Sequence, residues 1–337
     1  MSRIATPLIV AHTRLGLANR IRTAASCLVL AERLGRDCRV IWPETEDLRC
    51  PFAGLFERPD PRLLEIPEDL DFGGLVGVEP PRFRTPRVTA WRDLSPPFRR
   101  HELDHVRQWP MTFDAAALAD LREILYVRSC YEFRPSDMPI EEFLPTCARI
   151  MQRHFRPVRD ILDRVMELPP GTVGVHLRRG DKYRSLRKRW QKHPSFVEHF
   201  VPTLDGMIAA DPAVTFFVCS DDDEVKAQLR RMYPGRVLGY GDVVQRRDSV
   251  AGVRDALRDL YTLGQTRLIL HDGDSSFGPI ASRYATRPYR NMRSDVGDLG
   301  ALAPVFWVAN RMAFACRRGT SILRHRLGQR RSRRPTA

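Results

Sequence analysis

Cysteine is sparse and scattered in this chain of 337 residues: the seven, at 27, 38, 50, 130, 147, 219 and 316, form no CxxC pair. An odd, dispersed set excludes a secreted disulfide framework, a zinc ribbon and a thioredoxin-type motif, leaving reduced thiols as the simplest reading. No run approaches the ~18 uninterrupted apolar residues that a spanning helix needs. The opening Met1-Ser-Arg-Ile-Ala-Thr-Pro-Leu-Ile-Val-Ala11 has too short an apolar core for a signal peptide. A cytoplasmic protein is therefore expected. Internal repeats are lacking, and low complexity is confined to the C-terminal tail. That tail, 317–337, lacks acid altogether and carries eight Arg, so the formal net charge of +14 falls to +6 once those eight are set aside. A basic balance of this kind can signal nucleic acid, but no aromatic and basic RNA motif accompanies it, and no nucleic-acid partner is expected. Peripheral contact with an anionic inner membrane face through the Arg-rich tail is the reading that remains for it.

What is present is a globular mixture, 43% hydrophobic and 28% charged, with room for two domains. Pro7–Ala11 reads as a buried strand, and Thr13–Arg20 turns it into a helix with Ile21, Ala25, Leu28, Ala31 and Leu34 on one face, stopped at Gly35. Cys38–Trp42 follows as a second strand. This is a Rossmann-like opening, with Gly16 and Asn19 where a ligand can meet a helix N-terminus; a tight turn with a capping residue explains them equally well. From Pro43 to Arg107 the chain is Pro-rich and loop-like, with Glu44, Glu46 and Asp47 just beyond the second strand. The spacing predicts helices over 115–131 and 140–167, the second ended by Pro169-Pro170-Gly171. After Thr172 strands are expected at 214–219, 267–271 and, more weakly, 236–239, with helices over 194–210 (interrupted at Pro202), 222–232 and 249–263 between them. Such alternation implies a parallel sheet. The expected architecture is α/β, two doubly wound Rossmann-like domains facing a cleft: 1–168 on the acceptor side and 169–300 binding the donor. An apolar helix over 301–316 and a disordered basic tail over 317–337 complete it.

The organising stretch is Thr172-Val-Gly-Val-His-Leu-Arg-Arg-Gly-Asp-Lys182, an apolar run that ends in His176, Arg178, Arg179, Asp181 and Lys182. In open parallel sheets ligands bind beyond the carboxyl ends of the strands. Forked guanidiniums released there can grip phosphate oxygens, Lys182 adds a point charge, and Gly180 lets the backbone pass close to a ligand. A nucleoside diphosphate fits, whereas a solvated basic turn is the bland alternative. Two later strands behave alike. Phe216-Phe-Val-Cys-Ser220 delivers Ser220, Asp221 and Asp222, where a carboxylate can cap the next helix or accept from the N1–H and amino group of guanine. Leu268-Ile-Leu-His271 leads through a Gly turn to Ser275, Ser276 and Phe277 at a helix start, where hydroxyls and free N–H groups can hold phosphate or serve only as caps.

Taken together, these segments resemble the GT-B fucosyltransferase superfamily, which includes α1,6-fucosyltransferases, nodulation fucosyltransferases and, more distantly, protein O-fucosyltransferases. The motifs are Gly16-Leu-Ala-Asn-Arg20, His176-Leu-Arg-Arg-Gly-Asp-Lys182, Ser220-Asp-Asp222, Asp259-Leu260 and Ser275-Ser-Phe277, in the family order within residues 7–290. The resemblance implies an inverting, metal-independent transferase that moves fucose from GDP-fucose to a glycan or other hydroxyl acceptor, with no cofactor beyond the donor. It implies Arg178, Asp181 and Lys182 as catalytic. The implied donor-binding residues are Gly16, Asn19, Arg20, His176, Arg179, Ser220, Asp221, Asp222, Ser275, Ser276 and Phe277, with Asp259 as a supporting acid. Arg178 would hold the diphosphate, and His176 and Asp221 would meet guanine. Two departures stand out: Ala18 separates Leu17 from Asn19, and Tyr183–Trp190 holds no acid where α1,6 enzymes place their proposed base. Asp181, Glu44 and Asp47 are the remaining candidates for that base. A catalytically silent sugar-nucleotide binder, or a transferase of another nucleotide sugar, stays open as an alternative.

Overall fold

The computed structural model describes residues 8–57, 91–93, 111–121, 124–178, 196–241, 247–272 and 275–292. The expected helix over 301–316 and the basic tail lie outside the described residues, as do Arg179, Asp181 and Lys182. The chain divides into two compact units. The first runs to Val165 and takes in 244–258 and 283–286; the second runs from Met166 and takes in 259–282 and the chain from Arg287 onward.

The first unit opens with β1 (Leu8–Thr13), α1 (Leu17–Leu34) and β2 (Asp37–Ile41). Every residue of β1 after Leu8 is buried, as befits a strand covered on both faces. Helix α1 ends as its sequence predicts: Gly35 takes up the left-handed conformation (φ 62°), and the backbone N–H groups at its C-terminus return to Ala31 and Glu32. Further along come β3 (Trp91–Asp93), β4 (Met111–Phe113), α2 (Ala115–Ala119), β5 (Ile124–Ser129), β6 (Phe133–Pro135), α3 (Ile140–His154) and α4 (Arg159–Leu162). Strands pair in parallel in the order β2-β1-β5-β3.

Two expectations fail here. The helix predicted over 115–131 is the five-residue α2 followed by β5, which lies directly beside β1. Leu125, Tyr126 and Val127 are all buried, so the strand has no alternating pattern to betray it. The helix predicted over 140–167 breaks after His154. There Phe155 turns into an aromatic cluster with Phe52 and Phe56, its rings 5.9 and 5.4 Å away. Beyond it the backbone pairs with the segment before Arg58 instead of continuing the helix: Glu57 donates to Arg156 O (2.8 Å) and Val158 to Leu55 O (3.0 Å). Pro157, with no N–H to give, suits a bridge and not a helix.

The second unit is more regular. Its strands are β7 (Val173–Leu177), β8 (Phe216–Ser220), β9 (Val237–Leu238), β10 (Leu268–His271) and β11 (Tyr289–Asn291), and its helices are α5 (Phe196–Ala210), α6 (Asp223–Met232), α7 (Val250–Gly264) and α8 (Phe277–Ala285), with the division between units falling inside α7 and α8. Pro202 does not end α5, because Val197, Phe200, Val201 and Leu204 anchor that helix in the core on either side of it. The parallel order β11-β10-β7-β8-β9 is the Rossmann order, whose reversal lies between β7 and β10. Gly174 explains how tightly this sheet is covered: a Cβ there would stand 2.6 Å from Leu263 Cδ1 and 2.7 Å from Thr266 Oγ1, at the end of α7.

Candidate active site

At the reversal point of the second unit the register sets His176 of β7 beside His271 of β10 on one side and Cys219 of β8 on the other, with Leu177 beside Ser220 one residue further on. The three strand ends singled out from the sequence therefore come together at one edge of one sheet. Local bonds lock them. The His176 ring stacks on Phe277 at the start of α8, centroids 5.0 Å apart and planes inclined by 16°. Asp272 N–H donates to His176 O (3.2 Å), Ser275 N–H to Asp272 O (3.3 Å), and Phe277 N–H to the Ser275 hydroxyl (3.3 Å). The Ser275 hydroxyl thus braces the turn that leads into α8, while Ser276, whose carbonyl accepts the Ile280 N–H, is half-buried beside it. Arg178 follows β7 directly and is half-buried.

On β8 the capping reading accounts for Asp222: its carboxylate accepts from Glu224 N–H (3.0 Å) and Val225 N–H (3.4 Å) at the start of α6. The Ser220 hydroxyl accepts from Asp222 N–H (3.2 Å), which leaves half-buried Asp221 as the acid carried on the turn between them. Asp259 lies buried behind the strand, accepting from the Cys219 thiol at 3.4 Å. Burial, followed by the Asp259 charge, pushes that thiol well above its ordinary range, so Cys219 is no nucleophile.

His271 is a residue that motif reading passed over. It is 2% exposed, at the last position of β10. Burial lowers its pKa to about 4, against a smaller upward pull from a hydrogen bond with the Asp272 backbone. Its ring lies 5.3 Å from Tyr289, and it is the reason residue 278 is glycine: a Cβ there would meet His271 Cβ at 2.6 Å and Cγ at 3.0 Å. Gly278→Ala should therefore destabilise the protein by about 1–3 kcal/mol, read from the urea midpoint. Adding His271→Gly should recover much of that loss, since the two side chains clash only with each other. A double variant no more stable than the two single losses summed would refute the clash.

The remaining candidates lie in the first unit. Gly16 forms the N-cap of α1 with no side-chain cap, and half-buried Asn19 follows in the first turn. Before them Leu15 holds φ 62°, a conformation that costs a β-carbon-bearing residue about 1–2 kcal/mol. Arg20 is what holds it. Its Nε donates to Leu15 O (2.7 Å), Nη1 to Pro43 O and Nη2 to the Thr45 hydroxyl (2.9 Å), with the guanidinium 5.4 Å over the Trp42 ring. Arg20 is buried, and these bonds hold the turn in place. Glu44 and Asp47 are exposed on the turn after β2, which the Thr45–Leu48 bridge closes.

No family model matches the chain, and no curated protein matches it in sequence. Solved structures do match. A mutant of Arabidopsis thaliana FUT1 in complex with GDP superposes with a TM-score of 0.53 at 14% identity, over 84% of this chain and 69% of that one. The chain shares the fold of that structure. NodZ α-1,6-fucosyltransferase soaked with GDP-fucose matches at TM-score 0.46 and 18% identity, over 83% of this chain and 92% of its own. Apo POFUT1 matches at TM-score 0.46 and 13% identity, over 86% and 99%. At such identities the likeness is one of fold.

Proposed function

We propose that the protein is an inverting, metal-independent glycosyltransferase that moves fucose from GDP-fucose to a hydroxyl of a glycan or other acceptor. The observation that carries this reading is the meeting of three polar strand ends at the Rossmann reversal point, with His176 stacked on Phe277 at the start of α8. That the FUT1 structure of the same fold was solved in complex with GDP supports a GDP-sugar donor. In this reading His176 and Asp221 meet guanine, Ser275 and Ser276 lie near the diphosphate at the α8 N-terminus, and Arg178, with Arg179 and Lys182, neutralises it. The acceptor oxygen attacks C1 from the face opposite the diphosphate. The C1–O bond breaks, its electron pair leaves with GDP, and the hydroxyl proton passes to a base, for which Asp181, Glu44 and Asp47 are the candidates. Arginine, lysine and a helix N-terminus can take up the leaving charge without a metal. A cytoplasmic setting with peripheral contact through the Arg-rich tail belongs to the same proposal; among the described residues no helix is long and apolar enough to cross a membrane.

The test is base selectivity. GDP should raise the melting temperature more than UDP or ADP, and Asp221→Ala should erode the difference, because a carboxylate accepting from two guanine donors contributes about 1.5–3 kcal/mol. Equal shifts for GDP and UDP would sink the donor assignment.

A further inference from the structure

Helix α8 opens on Phe277-Gly278-Pro279, although glycine is the poorest helix former after proline. Proline is tolerated in a first turn, where N–H groups have no partner within the helix. Glycine needs another reason, and His271 supplies it: the Cβ that any other residue would carry at 278 stands 2.6 Å from His271 Cβ and 3.0 Å from Cγ. The residue before it, Phe277, stacks on His176, which register places directly beside His271. Consecutive residues of the first helical turn thus rest on paired residues of neighbouring strands.

Of the two sides of this contact, the strand is the fixed one. His271 belongs to an inner strand, β10 having β7 on one side and β11 on the other. Its carbonyl accepts from Met292 N–H (3.0 Å), the Asp272 N–H that follows donates to His176 O (3.2 Å), and the Tyr289 ring lies 5.3 Å from its imidazole. On the helix side, the bond from Ile280 N–H to Ser276 O (3.1 Å) closes the first turn into a unit. A change in the size of the His271–Gly278 contact therefore moves the turn, and with it Ser275, Ser276 and Phe277.

We propose that His271 is a positioning residue of the donor site: through its contact with Gly278 it sets where the α8 N-terminus stands relative to the end of β7, and so how well that turn holds the second phosphate of a GDP-sugar. The ligand in this statement rests on the glycosyltransferase reading; the contact rests on the second unit alone. His271 acts without touching the donor. Hydrogen bonds from N–H and hydroxyl groups to phosphate oxygens depend steeply on distance and angle, so a small displacement of the turn weakens several of them together.

The experiment is calorimetric titration of the full chain with GDP and GMP, which differ by one phosphate, at a temperature where every variant is folded. His271→Ala, which leaves space beneath Gly278, and Gly278→Ala, which presses on the ring, should each cut the preference for GDP over GMP about tenfold. Lost stability alone would weaken both nucleotides alike, so the ratio separates positioning from mere support. His271→Phe, which keeps a flat ring under Gly278, should retain most of the preference. A ratio that stays within about twofold of wild type in both His271→Ala and Gly278→Ala overturns the proposal and leaves the donor reading standing. A wild type that binds neither nucleotide overturns the donor reading and this role with it.

Discussion

On the proposed function, Arg178→Ala should lower turnover of fucose transfer by about 10²–10³-fold while changing GDP affinity by less than about tenfold. The reason is that the diphosphate gains negative charge as the glycosidic bond breaks, and only an interaction that strengthens at that moment lowers the barrier. Arg178 follows β7 at the reversal point of the sheet, one residue beyond the Leu177–Ser220 pair, where such a charge would develop. Arg178→Lys should stay well below wild type, since a point charge replaces the planar fork. The measurement is single-turnover transfer with GDP binding followed in parallel. If Arg178→Ala loses GDP affinity and turnover in equal proportion, the residue serves ground-state binding and the catalytic role is wrong.

Acid should destabilise the protein through two buried histidines. Their folded pKa values, about 4 for His271 and about 3 for His12, lie below the ordinary 6.5, so the unfolded chain binds more protons in the interval. The sign follows: the stability is complete above pH 6.5 and is lost as pH falls toward the folded values. By pH 4.5 each histidine should cost about 2–3 kcal/mol, as an upper estimate. Exposed pairs such as Arg33–Asp137 (2.5 Å) also titrate in acid but contribute little. Urea unfolding at pH 7 and 4.5 should show His271→Asn and His12→Asn each flattening the pH dependence relative to wild type. A slope left unchanged by both variants would mean that neither histidine is buried in its neutral form.

The elements most legible in the sequence are those whose signal is local. Gly35 announces the end of α1 because only the left-handed conformation lets its N–H reach back to the last turn. The strand ends at His176, Ser220 and His271 are marked by a sharp change from apolar to polar residues. The capping function of Asp222 was open in the sequence as one of two alternatives, and its position before α6 decides it. Strand β5 was not legible, because a strand buried on both faces carries no period that separates it from a helix. Nor was the break after His154, which depends on Phe155 meeting rings about a hundred residues earlier in the chain. His271 and Gly278 individually mean nothing; their relation exists only where α8 crosses the end of β10.

By itself the sequence determined the α/β class, the strand and helix alternation after Thr172 and the polar strand ends from which a GDP-sugar site is argued, since each is written in hydrophobic contrast and turn chemistry over a few residues. Only the tertiary structure decided that these ends share one sheet edge at a Rossmann reversal, that Arg20 is a buried strut beneath a left-handed Leu15, and that His12 and Arg128, 116 positions apart in number, are neighbours. Parallel pairing is the physical reason: it joins strands through long crossovers, so the residues it brings side by side have no signature in the stretch of sequence around either one.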